Sequence, residues 1–174
     1  GDPDIMSRKP RHRDEPIVNS TMRTGIIVQM FAQAGVVLAA FALGLLWHLR
    51  AGDVLPAGVN PILFLLQYDW AGVDVQTAET MAFATLSLCE LFRAYTVRSA
   101  FASIFRIGIF SNRTMQGAVT LSLILLLLVC TVPFLQPIFN THMLAPMEWG
   151  VVLGLAFLPA IAEEITKFFM RRSV

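Results

Sequence analysis

The feature that most constrains this chain is a set of four apolar runs, each long enough for a helix to cross a hydrocarbon core about 30 Å thick, which takes about 20 residues. They lie at about 24–49, 77–96, 115–136 and 149–169. None alternates with period two, so a transmembrane β-barrel is excluded. Composition agrees: of the 174 residues, 56% are hydrophobic and 14% charged, against about 25% charged in a soluble domain. The expected fold class is all-α, a polytopic, multi-pass integral membrane protein built as a bundle of four transmembrane helices. The lipid bilayer is its first expected partner.

The basic residues set the expected orientation. Arg8, Lys9, Arg11, Arg13 and Arg23 precede the first run; Arg93, Arg98, Arg106 and Arg113 surround the second connection; Lys167, Arg171 and Arg172 close the chain. Of 13 Lys and Arg, Arg50 alone falls on the other side, among Asp53, Asp69, Asp74, Glu79 and Glu148. The positive-inside rule therefore puts both termini in the cytoplasm. Residues 1–23 read as a cytoplasmic arm and 24–174 as the transmembrane domain. Because the cations are sorted by membrane side rather than gathered on one face, no nucleic acid partner is expected. A polar start followed by so long an apolar run does not read as a secretory signal peptide.

Within the helices the chemistry is sparse. Gly35 with Ala39, and Ala40 with Gly44, are small residues four apart, the spacing that lets another helix approach. Pro159 falls inside the fourth run, where it removes a backbone donor. Glu163 and Lys167 have i,i+4 spacing and read as an ion pair, so with Glu164 they are assigned a structural part. Trp47, Tyr95 and Trp149 sit near run ends, where amphipathic rings anchor. Cys89 and Cys130 read as small buried residues without a disulfide or metal spacing. In the longest connection, residues 50–76, NPILFLLQY is apolar but too short to span; it is expected at the interface or against the bundle. No P-loop, GxSxG or HExxH is present, and neither catalytic nor cofactor-binding residues are expected.

Glu90 stands out as an acid set well inside the second run. A carboxylate at the bilayer centre costs about 2.5–3.5 kcal/mol on insertion scales, so it needs a partner or a task. Pairing with Arg93 is one reading; ligating a hard cation together with oxygens from other helices is the other. Ser87, three residues back, is the better candidate of Thr85 and Ser87 to support it by hydrogen bonding, although the reading of that hydroxyl as a plain helix-packing group ranks above it.

A resemblance bears on this choice. The pattern DIM-x-R-x-PR followed by EP, carried by Asp4, Ile5, Met6, Arg8, Pro10, Arg11, Glu15 and Pro16, resembles the segment after the sixth membrane helix of P-type cation-transporting ATPases, above all the sarco/endoplasmic reticulum-type calcium pumps. TMAFATLSLCELF at 80–92 is similar to their eighth helix, VPFLQPIF at 132–139 to the ninth and its turn, and LPAIAEEITKF at 158–168 to the tenth. The resemblance implies that the chain is the C-terminal membrane region, helices seven to ten, of an ATP-driven pump. Its further partners would then be the remaining helices and cytoplasmic domains of that pump. Ca²⁺ would be the transported ion, with Mg²⁺ and ATP bound elsewhere in the parent. Neither the DKTGT nor the TGE motif occurs in this stretch, which alone should be inactive. Glu90 falls where the eighth helix of the reticulum-type pump supplies an ion-site carboxylate, while Arg93 replaces an expected Asn. The location implied for a bacterial protein is the cell (inner) membrane. The alternatives are a free-standing four-helix accessory protein without chemistry, or the same fold in a Na⁺ or H⁺ pump.

Overall fold

The computed structural model describes Val18 and residues 20–52, 54, 56, 58–71, 73–98, 108 and 110–172. The resemblance-bearing residues from Asp4 to Pro16, and the stretch 99–107, lie outside the described residues. Among those described the chain is helical with no strand: α1 (Ser20–Ala51), α2 (Pro61–Gln67), α3 (Gln76–Thr96), α4 (Arg113–Thr131), α5 (Gln136–Phe139) and α6 (Pro146–Arg172). By length and composition α1, over Met22–Arg50, and α4 are apolar enough to cross a membrane. α3 and α6 match them in length but interrupt their apolar faces with Glu79, Glu90 and Arg93, and with Glu148, Glu163, Glu164 and Lys167.

Local signals start and stop these helices. Asn112 caps α4 by accepting from the Met115 amide at 3.1 Å, and Asp74 accepts from the Gln76 amide at 3.0 Å where α3 begins. Such caps satisfy orphan donors of the first turn. α4 stops at Thr131, five residues short of the apolar run's end, because Pro133 has no amide hydrogen for the Val129 carbonyl. Two side chains replace the lost backbone donors: Thr141 Oγ1 donates to the Val129 carbonyl at 2.7 Å, and Gln136 Nε2 to the Cys130 carbonyl at 3.0 Å. α5 then ends on Asn140 in the left-handed region, φ 52°, a conformation Asn tolerates better than most residues. Pro159 is buried inside α6 without ending it.

α1, α3 and α6 pack on one another, and α4 lies along α3 with a thinner contact. The pairings fix direction. Gln33 meets Glu90, and Gly44 meets Ala78, so α1 and α3 are antiparallel. Cys89 meets Ala156 and Thr96 meets Glu163, both 67 positions apart, so α3 and α6 run parallel. Tyr95 donates to Gln116 Oε1 at 2.8 Å at the other end of α4 from Thr131, which makes α4 antiparallel to α3. The starts of α1 and α4 and the ends of α3 and α6 therefore share one end of the molecule.

Close approach needs small residues, and the structure chooses between the two pairs in α1. Ala40 and Gly44 are both buried, and a Cβ on Gly44 would come within 2.6 Å of the Ala78 Cα on α3. Gly35 is exposed, and a Cβ there would meet nothing within 4 Å. Met81, Ala84, Leu88, Cys89, Val152 and Ala156 form the heart of the core, with Trp47 and Trp149 half-buried against it. Large apolar side chains cover the outer faces, among them Phe31 at 68% and Leu121 at 58% exposed. In water such surface is unfavourable at about 25 cal/mol per Å², and lipid or further helices remove that cost. α2, capped by Asn60 and wholly without buried residues, lies beside the end of α1, with Trp70 donating to the Leu65 carbonyl at 3.1 Å.

Candidate functional site

Three polar groups interrupt the apolar body, and two of them have evident structural work. At one end, Lys167, only 3% exposed, donates to the Thr96 carbonyl, the last of α3, and lies 3.5 Å from Glu163 and 3.1 Å from Glu164. Thr96 Oγ1 in turn donates to Glu163. One buried cation thus ties the C-terminus of α3, where carbonyls lack partners, to α6. The i,i+4 spacing of Glu163 and Lys167 is realised as a contact. At the opposite end, Asn140 Nδ2 donates to Glu79 at 2.9 Å, and Gln76 Nε2 to Asn140 Oδ1 at 3.2 Å. The His142 amide donates to Thr80 Oγ1 at 2.8 Å, so the start of α3 is laced to the turn before α6.

The third group contains Glu90 and differs from both. Its carboxylate lies in an open groove of about 640 Å³ between α1 and α3, walled by Ile26, Met30, Val37 and Leu86 and floored in part by Gln29 and Gln33. Gln33 Nε2 donates to Glu90 Oε1 at 2.6 Å. Arg93 Nη1 stands 3.9 Å from the same oxygen, one helical turn on, with the Glu90 side chain 54% and the Arg93 side chain 37% exposed. At 3.9 Å the approach is too long for a hydrogen bond, so Arg93 does not fix the orientation of the Glu90 carboxylate. No hydrogen bond to Glu90 Oε2 occurs among the described residues. One turn before Gln33, Gln29 is 5% exposed, and its Oε1 has no hydrogen-bond partner.

Ser87 is not the support expected for Glu90. It lines a different cleft, with Leu91 on α3 and Ser122 and Leu125 on α4. Three residues along a helix leave two side chains roughly 60° apart around the axis, and here that angle falls on the other side of the α3 ridge. Thr85 is buried with its hydroxyl unpartnered, away from the groove. The residue that does reach Glu90 is Gln33, which the sequence signals only as one of two glutamines spaced i,i+4 in an otherwise apolar helix. No group of three His, Cys, Asp or Glu side chains able to hold a metal occurs among the described residues. A cation here would need oxygens from outside them, since Ca²⁺ takes six to eight.

Comparison with known proteins places this architecture. The family model described as "Cation transporting ATPase, C-terminus" matches residues 1–169. The chain belongs to this family. It is similar to a "Calcium-transporting ATPase 1" of Bacillus cereus, 30% identical over 170 residues, covering 95% of this chain and 18% of that protein. A "Calcium-transporting ATPase" of Bacillus subtilis is 31% identical over 156 residues, 90% of this chain and 15% of the relative. An "Endoplasmic reticulum calcium ATPase" of Aspergillus fumigatus is 26% identical over 185 residues, 98% of this chain and 18% of the relative. The chain thus spans less than a fifth of the length of these relatives.

Proposed function

We propose that this chain is the C-terminal transmembrane module, helices seven to ten, of a P-type pump that moves Ca²⁺ across a membrane at the expense of ATP. α1, α3, α4 and α6 are the four spans, both termini are cytoplasmic, and in a bacterium the pump resides in the cell (inner) membrane. ATP, Mg²⁺ and the phosphorylated aspartate belong to the rest of the parent protein. The module packs against the remaining helices and contributes one ion-site carboxylate, Glu90. The names of the relatives support Ca²⁺ over Na⁺ or H⁺, and match to the family along nearly the whole chain weighs against a free-standing accessory protein.

The observation that carries the assignment is the contrast among the acids of the two charged helices. Glu163 and Glu164 are engaged by Lys167 and Glu79 by Asn140 at the ends of the helices, whereas Glu90, bonded by Gln33, lines an apolar-walled groove. A hard divalent cation takes carboxylate and carbonyl oxygens pooled from several helices, and an acid that lines a groove within an apolar helix suits that task. A second reading, in which Glu90 merely balances Arg93, has the 3.9 Å approach in its favour.

The Ca²⁺ dependence of phosphoenzyme formation in the intact pump separates the two. As a ligand, Glu90→Gln should raise the half-saturating Ca²⁺ concentration at least tenfold while leaving the maximal phosphoenzyme level in place. As a counter-ion only, the same change strands the guanidinium, and the defect should be instability that Arg93→Gln in the same molecule restores. An unchanged Ca²⁺ dependence in well-folded Glu90→Gln pump would refute the ligand assignment.

A further inference from the structure

Gln29 and Gln33 are the only polar side chains of α1 between Gly25 and Trp47. A carboxamide on an apolar helix is retained at a cost unless it is hydrogen-bonded, and these two stand one turn apart on the face that borders Glu90. Gln33 is bonded to Glu90 Oε1 at 2.6 Å, and hydrogen bonds to a carboxylate are stronger than those between neutral groups. Arg93 approaches that same oxygen. Both neighbours therefore meet Oε1, and Oε2 is left without a hydrogen bond among the described residues. One turn away on α1, Gln29 is 5% exposed and its buried Oε1 has no hydrogen-bond partner.

We propose that Gln33 is the positioning residue for Glu90: its carboxamide, held on α1, fixes Oε1 so that Oε2 faces the groove as the oxygen offered to a divalent cation. This rests on the reading of Glu90 as a ligand. The chemistry suits the part. A glutamate on a helix has three rotatable bonds before its carboxylate, and a ligand needs only one or two of its orientations. An amide donor from the neighbouring helix, itself set by the close packing of Gly44 on Ala78, selects among them. Support of a ligand by a hydrogen bond to its other polar atom is the ordinary way proteins orient metal ligands, and its loss typically costs about 10–100-fold in metal affinity. A plain packing role would instead need only a side chain of the right volume.

The test uses the intact pump, with Ca²⁺ alone as probe and phosphoenzyme formation from ATP as readout. Gln33→Met keeps the volume and removes the donor; Gln33→Asn keeps the amide but is one methylene too short to reach across. Both should raise the half-saturating Ca²⁺ concentration about tenfold with the maximal phosphoenzyme level unchanged, and Gln33→Met should add nothing further in a Glu90→Gln background. An equal shift in the presence and absence of the Glu90 carboxylate would assign Gln33 to packing and overturn the proposal. So would an unchanged Ca²⁺ dependence in both Gln33 variants when Glu90→Gln is impaired, which would leave the ligand reading standing. If Glu90→Gln itself is unchanged, the ligand reading fails and the positioning role fails with it. Should Gln33→Met not accumulate folded pump, Gln33→Asn decides by the same criteria.

Discussion

At Gly44 α1 comes close to the backbone of α3, and its missing side chain is what permits the approach. A Cβ there would lie 2.6 Å from the Ala78 Cα and 2.9 Å from its Cβ, a clash with backbone that no rotamer change relieves. Gly44→Ala should therefore push the two helices apart, at a cost of about 1–3 kcal/mol for overpacking. The expected result is a lower temperature of inactivation in detergent, and a wild-type value would mean that the helices do not approach this closely. The sequence offered Gly35 with Ala39 and Ala40 with Gly44 as equals, because spacing shows which residues share a face and not which face meets a neighbour. The Glu163 and Lys167 pair was legible for the opposite reason: both partners lie on one helix, where spacing alone decides contact. Gln33 shows the limit of that logic. Its partner lies 57 residues away, and only the register of α1 against α3 brings them together.

At the scale of elements, the end of α4 is the least expected feature, because its apolar run continues past the last helical residue. Pro133 deprives the Val129 carbonyl of its donor, and Thr141, 4% exposed, returns from beyond α5 to supply one at 2.7 Å. In an apolar surrounding every backbone polar group needs such a partner. Thr141→Val keeps the shape and removes the donor, leaving a buried carbonyl unsatisfied at a cost of about 1–3 kcal/mol. Thermal inactivation of the variant pump should come earlier, with its Ca²⁺ dependence unaltered because the turn stands far from the groove. A shift in Ca²⁺ dependence without loss of stability would contradict this account. Hydrophobic length located α4 but could not end it, since the run reads as continuous through Leu135. The capping came from a side chain ten residues later, which no local pattern encodes.

At the scale of the whole molecule, the pairings of the helices turn orientation into a single choice. Because α1 opposes α3, α4 opposes α3 and α6 runs with α3, the residues beside Arg23, Arg98, Arg113 and Lys167 share one end, and Arg50 lies at the other. On the proposed reading of four spans, the positive-inside rule predicts that the cation-rich end is cytoplasmic. Labelling of single cysteines with an impermeant reagent tests this in intact cells, where the buried Cys89 and Cys130 should stay silent. A cysteine replacing Gly58, in the connection between α1 and α2, should be modified from outside. One replacing Ser103, between α3 and α4, should react only after the membrane is opened. Modification of Ser103→Cys but not Gly58→Cys from outside would invert the orientation. Modification of both would remove α3 from the membrane altogether, and with it any place for Glu90 in an ion path.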